Sequence, residues 1–136
     1  MGLTIDTSIL VDFFTKKYVE RYKKSEKLLK AAKGKAVYCP KLILAEITSV
    51  LVRYDAKLAD LGYNFTLKNF NLTREDEIFD VLLEICKSTG CRAIDSYFIA
   101  TAKVTSSILI TNDRIMANNA RQYGVEAYYL IEELVV

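Results

Sequence analysis

Apolar residues follow two spacings along the chain, and each spacing predicts a different kind of element. Five short apolar runs predict buried strands at residues 3–6, 36–39, 70–72, 108–110 and 126–129. Between these runs, apolar side chains recur every three to four residues, which predicts helices at residues 8–14, 17–33, 42–51, 74–88, 95–102 and 115–123, with a terminal turn at residues 131–134. Residues 55–68 have no clear pattern, although residues 56–61 could form a helix that Gly62 ends.

Residues that cap or break helices support these boundaries. Thr7 and Ser8 are suited to start the first helix, because hydroxyls can accept hydrogen bonds from the unpaired amides of a first turn. Gly34 is suited to end the long second helix, and Pro40 to occupy the first turn of the third. Thr73 begins a further N-cap pattern before the helix that follows it.

The order of the predicted elements defines the fold class. Strands alternate with one to three helices, which predicts an α/β fold of three layers, with helices on both faces of a mainly parallel sheet of four to five strands. The length of 136 residues predicts one domain over residues 1–136. In such sheets, ligands bind beyond the carboxyl ends of the strands, near the point where the strand order reverses. Asp6 closes the first predicted strand, and Asp113 follows the predicted strand 108–110, so both are expected at that edge.

The sequence contains no histidine, which excludes several kinds of catalytic site. Ser-His-Asp and Cys-His catalysis, histidine-ligated zinc and most non-haem iron sites all need imidazole. Any catalysis must therefore use carboxylates, hydroxyls or lysines. The three cysteines, Cys39, Cys86 and Cys91, are an odd number without a C-x-x-C pair and are expected to be free thiols. A disulfide between Cys86 and Cys91 is the alternative.

The basic residues of the chain are concentrated in one segment. The formal net charge is only +2, but residues 16–35 contain nine Lys or Arg residues and only two acidic residues. This segment predicts an amphipathic helix with a basic face on a nearly neutral protein. No apolar stretch approaches the roughly 20 residues of a membrane span, and the first residues lack the features of a secretory signal. The chain is therefore expected to reside in the cytoplasm, away from membranes.

Four carboxylates stand where catalytic chemistry could be placed: Asp6, Glu46, Asp95 and Asp113. Three of them also have ordinary explanations, because Asp6 and Asp113 could be turn residues and Asp95 could cap a helix. Glu46 is harder to explain, since it is the only charged residue in the predicted helix 42–51 and has no Lys or Arg three or four positions away. An ionised carboxylate on an apolar helix is unfavourable unless it is paired or binds a cation.

The four carboxylates are expected to meet at one sheet edge, where they would form a cluster of oxygen ligands. Such a cluster favours Mg²⁺ or Mn²⁺, because close acidic groups without a metal repel one another. Divalent ions activate water and stabilise phosphate charge, so the expected reaction is phosphodiester hydrolysis. Four polar residues are placed to orient the ligands by hydrogen bonds, or else to act only in caps and turns. They are Thr7, Ser8, Thr111 and Asn112.

Four motifs surround these carboxylates over nearly the whole chain. They are Ile5-Asp6-Thr7-Ser8-Ile9-Leu10, Leu44-Ala45-Glu46-Ile47, Ala93-Ile94-Asp95-Ser96-Tyr97-Phe98-Ile99-Ala100-Thr101-Ala102 and Thr111-Asn112-Asp113. In residue type, order and spacing, they resemble the signatures of the PIN-domain family. The resemblance is greatest to the stand-alone VapC-type toxin ribonucleases of that family.

The resemblance implies a PIN fold and a Mg²⁺- or Mn²⁺-dependent endoribonuclease that cuts single-stranded or looped RNA. It also implies a homodimer in many members and, in the toxins, a cognate antitoxin protein as partner. By resemblance, Asp6, Glu46, Asp95 and Asp113 take the positions of the acidic catalytic metal site. Thr111 matches the Ser or Thr that usually stands two residues before the last Asp.

Basic residues near the expected site are candidates for RNA contact. Arg92 and Arg114 could bind phosphates, and the basic helix of residues 17–33 could do the same or simply be a solvated face. Two other functions stay open. The chain could be a PIN-like module that binds RNA or protein without turnover, or an RNA-maturation nuclease that is not a toxin. Metal-dependent cleavage would distinguish an enzyme from a binding module, and a neighbouring antitoxin gene would argue against a maturation nuclease.

Overall fold

The computed structural model describes residues 2–133 and centres on a five-stranded sheet. The strands are β1 (Leu3–Ile5), β2 (Val37–Pro40), β3 (Asn71–Thr73), β4 (Ile108–Thr111) and β5 (Ala127–Tyr129). All are parallel, and they lie in the order β3-β2-β1-β4-β5. The prediction of an α/β fold with a mainly parallel sheet is therefore confirmed.

The direction of strand addition reverses at β1, which pairs with β2 on one side and β4 on the other. Leu3 stands opposite Val37 of β2 and opposite Ile108 of β4. The chain builds outward from β1 to β2 and β3, and then returns to place β4 and β5 on the other side. The carboxyl ends of β1 and β4 therefore border the point where parallel α/β sheets leave a crevice.

Helices cover both faces of the sheet. They are α1 (Thr7–Thr15), α2 (Val19–Ala31), α3 (Ile43–Leu51), α4 (Ala56–Asn69), α5 (Glu75–Thr89), α6 (Ala93–Thr105), α7 (Arg114–Tyr123) and α8 (Leu130–Glu133). Right-handed crossovers put α1 to α4 on one face and α5 to α7 on the other. The packing agrees, because α1 contacts α2 and α3, whereas α5 contacts α6 and α7. This is the predicted three-layer arrangement.

The core lies between the sheet and the two helical layers. Ile5, Leu109 and Ile110 of the two central strands are buried, and so are Phe98 and Ile99 of α6. Burial of each such side chain stabilises the fold by roughly 1.5–3 kcal/mol. The central strands are therefore firmly packed, and they hold the polar residues that follow them in fixed positions.

Gly62 does not end a helix, contrary to the prediction. It lies inside α4, which occupies the segment without a clear apolar pattern. A Cβ atom at this position would approach Leu51 Cδ1 to 2.5 Å and Ile47 Cγ1 to 3.3 Å. Gly62 therefore allows α4 to pack closely on α3, and this tertiary contact outweighs the usual tendency of glycine to end helices.

Two predicted roles at the start of helices are also wrong. The N-cap of α1 is Asp6, not Thr7 or Ser8, and no side chain makes the capping bond. The two hydroxyls donate to carboxylates instead, Thr7 to Glu46 and Ser8 to Asp6. Pro40 is the last residue of β2 and does not lie in the first turn of α3.

Thr73 does not cap α5 as predicted. Its hydroxyl forms a buried hydrogen bond with the Thr101 hydroxyl at 2.9 Å, which draws it into the core. Arg74 is the N-cap, and its backbone amide donates to the Glu77 side chain at 2.9 Å. The capping pattern is therefore present but begins one residue later.

The remaining structural expectations concern cysteines, the last turn and membranes. Cys39, Cys86 and Cys91 are free thiols, so the alternative Cys86–Cys91 disulfide is not formed. The predicted terminal turn corresponds to α8, although Leu134 lies outside the described residues. Within residues 2–133, the helices are all too short or too polar to cross a membrane.

Candidate active site

All four predicted carboxylates line one cleft of about 630 Å³. Asp6 directly follows β1, and Asp113 stands two residues after β4. Glu46 comes from the first turn of α3, and Asp95 from the first turn of α6. The fold thus brings together side chains from four separate segments, while their chemical roles stay a prediction.

Asp6 is buried between the end of β1 and the start of α1. The Ser8 hydroxyl donates to Asp6 Oδ1 at 2.7 Å. Burial raises the pKa of Asp6 to about 7, because it removes the charged form from water. Hydrogen bonds from Ser8 and Thr111 oppose this effect, and the nearby charge of Asp113 adds to it. A cation beside Asp6 would therefore favour its ionised form.

Glu46 has its hydrogen-bond partner on a different helix. Thr7 Oγ1 donates to Glu46 Oε1 at 2.6 Å, so α1 satisfies the charged group that stands on the apolar α3. Burial raises the pKa of Glu46, the Thr7 hydrogen bond lowers it, and the charges of Asp95 and Arg92 act in opposite directions. Thr7 thus fixes the orientation of Glu46 at the cleft.

A single guanidinium group bridges Asp95 and Asp113. Arg92 Nε donates to Asp95 Oδ2 at 3.0 Å, and Arg92 Nη2 donates to Asp95 Oδ1 at 3.2 Å and to Asp113 Oδ2 at 2.6 Å. Burial raises the pKa of Asp95, and the bonds from Arg92 lower it. The Arg92 side chain is 64% exposed, whereas that of Asp95 is 3% exposed. Arg92 therefore neutralises part of the negative charge of the cleft from its solvent side.

The carboxylates fit a hard divalent ion by their chemistry, but their present spacing is wider than one ion needs. Carboxylate and hydroxyl oxygens are the ligands that Mg²⁺ and Mn²⁺ prefer. Among residues 2–133, however, no three acidic or thiol side chains stand close enough to hold one ion together. Arg92 supplies a physical reason, because its guanidinium lies between Asp95 and Asp113. Rotation of this exposed side chain would release their oxygens.

Thr111 and Asn112 stabilise the turn that carries Asp113. Thr111 Oγ1 accepts a hydrogen bond from the Asp113 amide at 2.8 Å, and Ser8 Oγ accepts one from the Asn112 amide at 2.9 Å. Asp113 Oδ1 in turn accepts from the Met116 amide at 3.1 Å and caps α7. The turn is therefore tied both to α7 and to the segment that follows β1.

Asp12 and Arg21 also line the cleft and are missing from the predicted site. Asp12 is buried on α1, where its Oδ2 accepts from Arg21 Nε at 2.9 Å and from Asn112 Nδ2 at 2.6 Å. The sequence carries a signal for Asp12, since it is the one charged residue in the apolar run 9–14, much as Glu46 is in its own helix. Arg21 has no such signal, because its partner comes from another helix.

Arg114 is absent from the described residues that line the cleft. Its Nη2 donates to Glu132 Oε1 at 2.6 Å, and its guanidinium lies 5.0 Å from the centroid of the Tyr129 ring. The side chain thus ties the start of α7 to β5 and α8, and its position lends no support to the predicted phosphate contact. Arg92, the other candidate, does line the cleft.

Comparison with protein families identifies the class to which this fold and site belong. A family model described as the PIN domain matches residues 3–122, and the chain belongs to the PIN-domain family. The predicted family is confirmed. PIN domains are generally nucleases and commonly use divalent metals. No curated protein matches the sequence significantly.

Several solved structures are similar to this chain at low sequence identity. PAE2754 from Pyrobaculum aerophilum shares 18% identity with a TM-score of 0.64, over 93% of this chain and 83% of that chain. VapBC2 from Rickettsia felis, bound to a DNA fragment from its promoter, shares 16% identity with a TM-score of 0.66. The similarity covers 94% of this chain and 98% of that chain. A toxin–antitoxin complex from Klebsiella pneumoniae shares 19% identity with a TM-score of 0.64. The similarity covers 82% of this chain and 86% of that chain. At such identities, the similarity establishes the fold alone.

Proposed function

We propose that this protein is a metal-dependent endoribonuclease and the toxin of a type II toxin–antitoxin module. The observation that carries the proposal is the convergence of Asp6, Glu46, Asp95 and Asp113 on one cleft of a PIN domain. The proposed substrate is single-stranded or looped RNA, and the proposed reaction is hydrolysis of a phosphodiester bond. The cleft that the four carboxylates line has a volume of about 630 Å³.

We assign the four carboxylates, Asp6, Glu46, Asp95 and Asp113, as catalytic ligands of Mg²⁺ or Mn²⁺. At such a site, a divalent ion supplies acidification of water and stabilisation of negative charge on phosphate. The raised pKa values of Asp6, Glu46 and Asp95 support this assignment, because buried acids that resist ionisation gain from a nearby cation. Their chemistry is therefore that of a site built to receive positive charge.

Neighbouring side chains have proposed roles in holding these groups and the RNA. Thr7 orients Glu46 through the hydrogen bond at 2.6 Å. Thr111 supports the backbone of the turn at Asp113. Arg92 is exposed at the cleft and can contact an RNA phosphate once its guanidinium leaves Asp113. Each of these side chains acts by position and charge, without a proton transfer of its own.

The proposed partners are a cognate antitoxin and a second copy of this chain. The antitoxin is supported by two of the similar structures, VapBC2 from Rickettsia felis and the toxin–antitoxin complex from Klebsiella pneumoniae. Exposed Phe79 and Leu83, one turn apart on α5, support an apolar contact in a homodimer.

Three free thiols support residence in the cytoplasm, where cysteines stay reduced. A single PIN domain over residues 1–136 is part of the same proposal.

A PIN-like module that binds RNA or protein without turnover is the second candidate. The bridge made by Arg92 favours it, because an internal cation already neutralises part of the charge of Asp95 and Asp113. An RNA-maturation nuclease would share the proposed chemistry and would differ in its RNA and its partner. Cleavage by the purified protein therefore comes first among the tests.

Cleavage of single-stranded RNA with Mg²⁺ or Mn²⁺ tests the proposed activity. Asp6→Asn and Asp95→Asn are each expected to lower the rate roughly a hundredfold or more, because each removes a charged group from the reacting site. EDTA is expected to abolish cleavage. Asp80→Asn is the matched control, since Asp80 is exposed on α5 and is absent from the described residues that line the cleft.

Cleavage that persists in EDTA, or at full rate in both folded variants, would contradict the proposal. RNA binding by the wild type without any cleavage would favour the binding module. Mapping of RNA ends after controlled expression in cells, with Asp95→Asn for comparison, would identify the RNA. A cut that arrests growth and is suppressed by a co-expressed antitoxin would distinguish a toxin from a maturation nuclease.

A further inference from the structure

The basic segment of residues 16–35 reaches the cleft at one point. Of its nine Lys and Arg residues, all of which the structure describes, Arg21 is the one that lines the cleft. Arg21 comes from α2, whereas Arg92 precedes α6. Guanidinium groups from two separate segments of the chain therefore line the cleft.

A buried carboxylate holds Arg21 in place. The side chain of Asp12 is only 5% exposed, and its Oδ2 accepts from Arg21 Nε at 2.9 Å and from Asn112 Nδ2 at 2.6 Å. Burial of an ionised carboxylate is unfavourable unless its partners are well placed. The bond to Asp12 uses Nε of Arg21, so the terminal nitrogens of the guanidinium stay available to an acceptor in the cleft.

A partly exposed aromatic ring lies beside Arg21. Tyr18, the N-cap of α2, is 52% exposed, and its ring centroid lies 5.4 Å from Arg21 Cζ. Lys17 Nζ lies at the same distance of 5.4 Å from this ring. Unpaired bases stack on exposed aromatic rings, while cations beside the ring hold the adjacent phosphates. Both cations lie over the face of the ring, so a base that stacks on Tyr18 has to displace the flexible side chain of Lys17, while Arg21 stays in place to hold the phosphate.

We propose that Tyr18 and Arg21 form a nucleotide subsite beside the four carboxylates, where Tyr18 stacks on an unpaired base of the RNA and Arg21 binds its phosphate. Asp12 is a positioning residue, because it directs Arg21 into the cleft without touching RNA. The inference rests on the proposed function, since the nucleotide belongs to the same RNA. The proposal also gives the basic segment two roles. Arg21 contacts the RNA directly, whereas the lysines away from Tyr18 act only through their electrostatic field.

Binding of a fluorescent single-stranded oligoribonucleotide tests the subsite, with the full chain carrying Asp6→Asn to prevent cleavage. Arg21→Gln removes the charge but leaves an amide that can donate to Asp12. The affinity of this variant for the oligoribonucleotide is expected to fall about five- to tenfold. The slope of the logarithm of the association constant against the logarithm of salt concentration should become shallower by about 0.7, the value for one phosphate contact on a single strand. Lys27→Gln is the matched control, exposed on α2 and absent from the described lining of the cleft, with an expected change under about twofold.

Asp12→Asn separates positioning from simple electrostatics. It removes a negative charge beside the cleft, so the field alone would make RNA bind more tightly. The positioning role predicts the opposite, a loss of about threefold, in a protein with an unchanged circular dichroism spectrum. Tyr18→Leu is expected to lose a similar factor without a change in the salt slope, because it removes stacking and no charge.

Equal losses in Arg21→Gln and Lys27→Gln, or tighter binding by Asp12→Asn, would overturn the subsite and leave the proposed nuclease standing. Failure of the parent protein to bind RNA at all would overturn both. If Asp12→Asn does not fold, Arg21→Gln and Tyr18→Leu still decide the question, since both side chains lie partly at the surface.

Discussion

At the scale of single residues, Arg92 neutralises part of the negative charge of the cleft, because its guanidinium holds Asp95 and Asp113 together. A divalent ion at the proposed site would bind the same oxygens, so the ion and the guanidinium should weaken each other's binding. Arg92→Gln is therefore expected to bind Mn²⁺ about three- to tenfold more tightly than the wild type in calorimetric titrations without RNA. Arg74→Gln removes an exposed, ion-paired arginine on another surface and serves as control.

The same variant should cut RNA more slowly at saturating metal, because a contact to the phosphate is lost. Misfolding would lower both the metal affinity and the cleavage rate, so it would not explain tighter metal binding together with slower cleavage. Unchanged or weaker Mn²⁺ binding by Arg92→Gln would contradict the competition between the two cations.

The residues that line the cleft differ in how far the sequence reveals them. Asp6 and Asp113 could be placed at one edge because each follows an apolar strand, and Glu46 could be singled out because its helix offers no local partner. Asp12 stands in an equally apolar run, and the same physical argument applies to it. The pairing of Asp12 with Arg21 could not be foreseen, because it depends on how α2 packs against α1.

At the scale of elements, Gly62 shows how packing determines the contact between α3 and α4. Gly62→Ala should gain up to about 1 kcal/mol of helix propensity. The new Cβ would meet Leu51 Cδ1 at 2.5 Å inside the core, and overpacking of this kind costs about 1–3 kcal/mol. The free energy of unfolding, measured with urea, is therefore expected to fall by up to about 2 kcal/mol.

A double-mutant cycle with Leu51→Ala provides the control. Leu51→Ala alone should destabilise the protein by about 2–5 kcal/mol, because it leaves a cavity. In that background Gly62→Ala has room for its methyl group and should be neutral or stabilising. If the two substitutions instead lower the free energy of unfolding additively, the close contact with Leu51 is not the reason that position 62 needs glycine.

The strands and most helices could be predicted because their signals are local, whereas the errors occur where tertiary contacts decide. Thr73 has the right type for a cap, but its hydroxyl bonds to Thr101 in the core. Thr7 also suits a cap, but its hydroxyl is drawn to Glu46 across 39 residues of sequence. In each case a polar side chain had a local and a distant partner, and the distant one was reached only through the fold.

At the scale of the whole molecule, the order of strands explains why the carboxylates meet. β1 lies at the centre of a parallel sheet, between β2 and β4, so Asp6 and Asp113 emerge side by side at the reversal point. The helices α3 and α6 cover opposite faces and bring Glu46 and Asp95 to the same edge. Element order alone predicted this edge, while the distances between its charges required the packed structure.

The stability of the whole molecule should fall as pH rises when no metal is present. Burial raises the pKa of Asp6 from 3.8 to about 7, so the folded protein retains a proton that the unfolded chain releases. The resulting stabilisation is complete below the unfolded pKa and is lost as pH rises through the folded value. In EDTA, the free energy of unfolding should be about 2–3 kcal/mol lower at about pH 8 than at about pH 5, as measured with urea.

Asp6→Asn and added Mg²⁺ test whether this pH dependence arises in the cleft. The amide introduced by Asp6→Asn does not ionise, so this variant should lose most of the dependence and keep only the part due to Glu46 and Asp95, whose pKa values are also raised. Mg²⁺ should restore stability most at about pH 8, because a cation favours the ionised carboxylates. Stability in EDTA that rises with pH would mean that the carboxylates are better compensated in the metal-free fold than their burial indicates. An effect of Mg²⁺ that persists undiminished at about pH 5 would place the ion away from these titrating groups, because protonated acids bind it poorly.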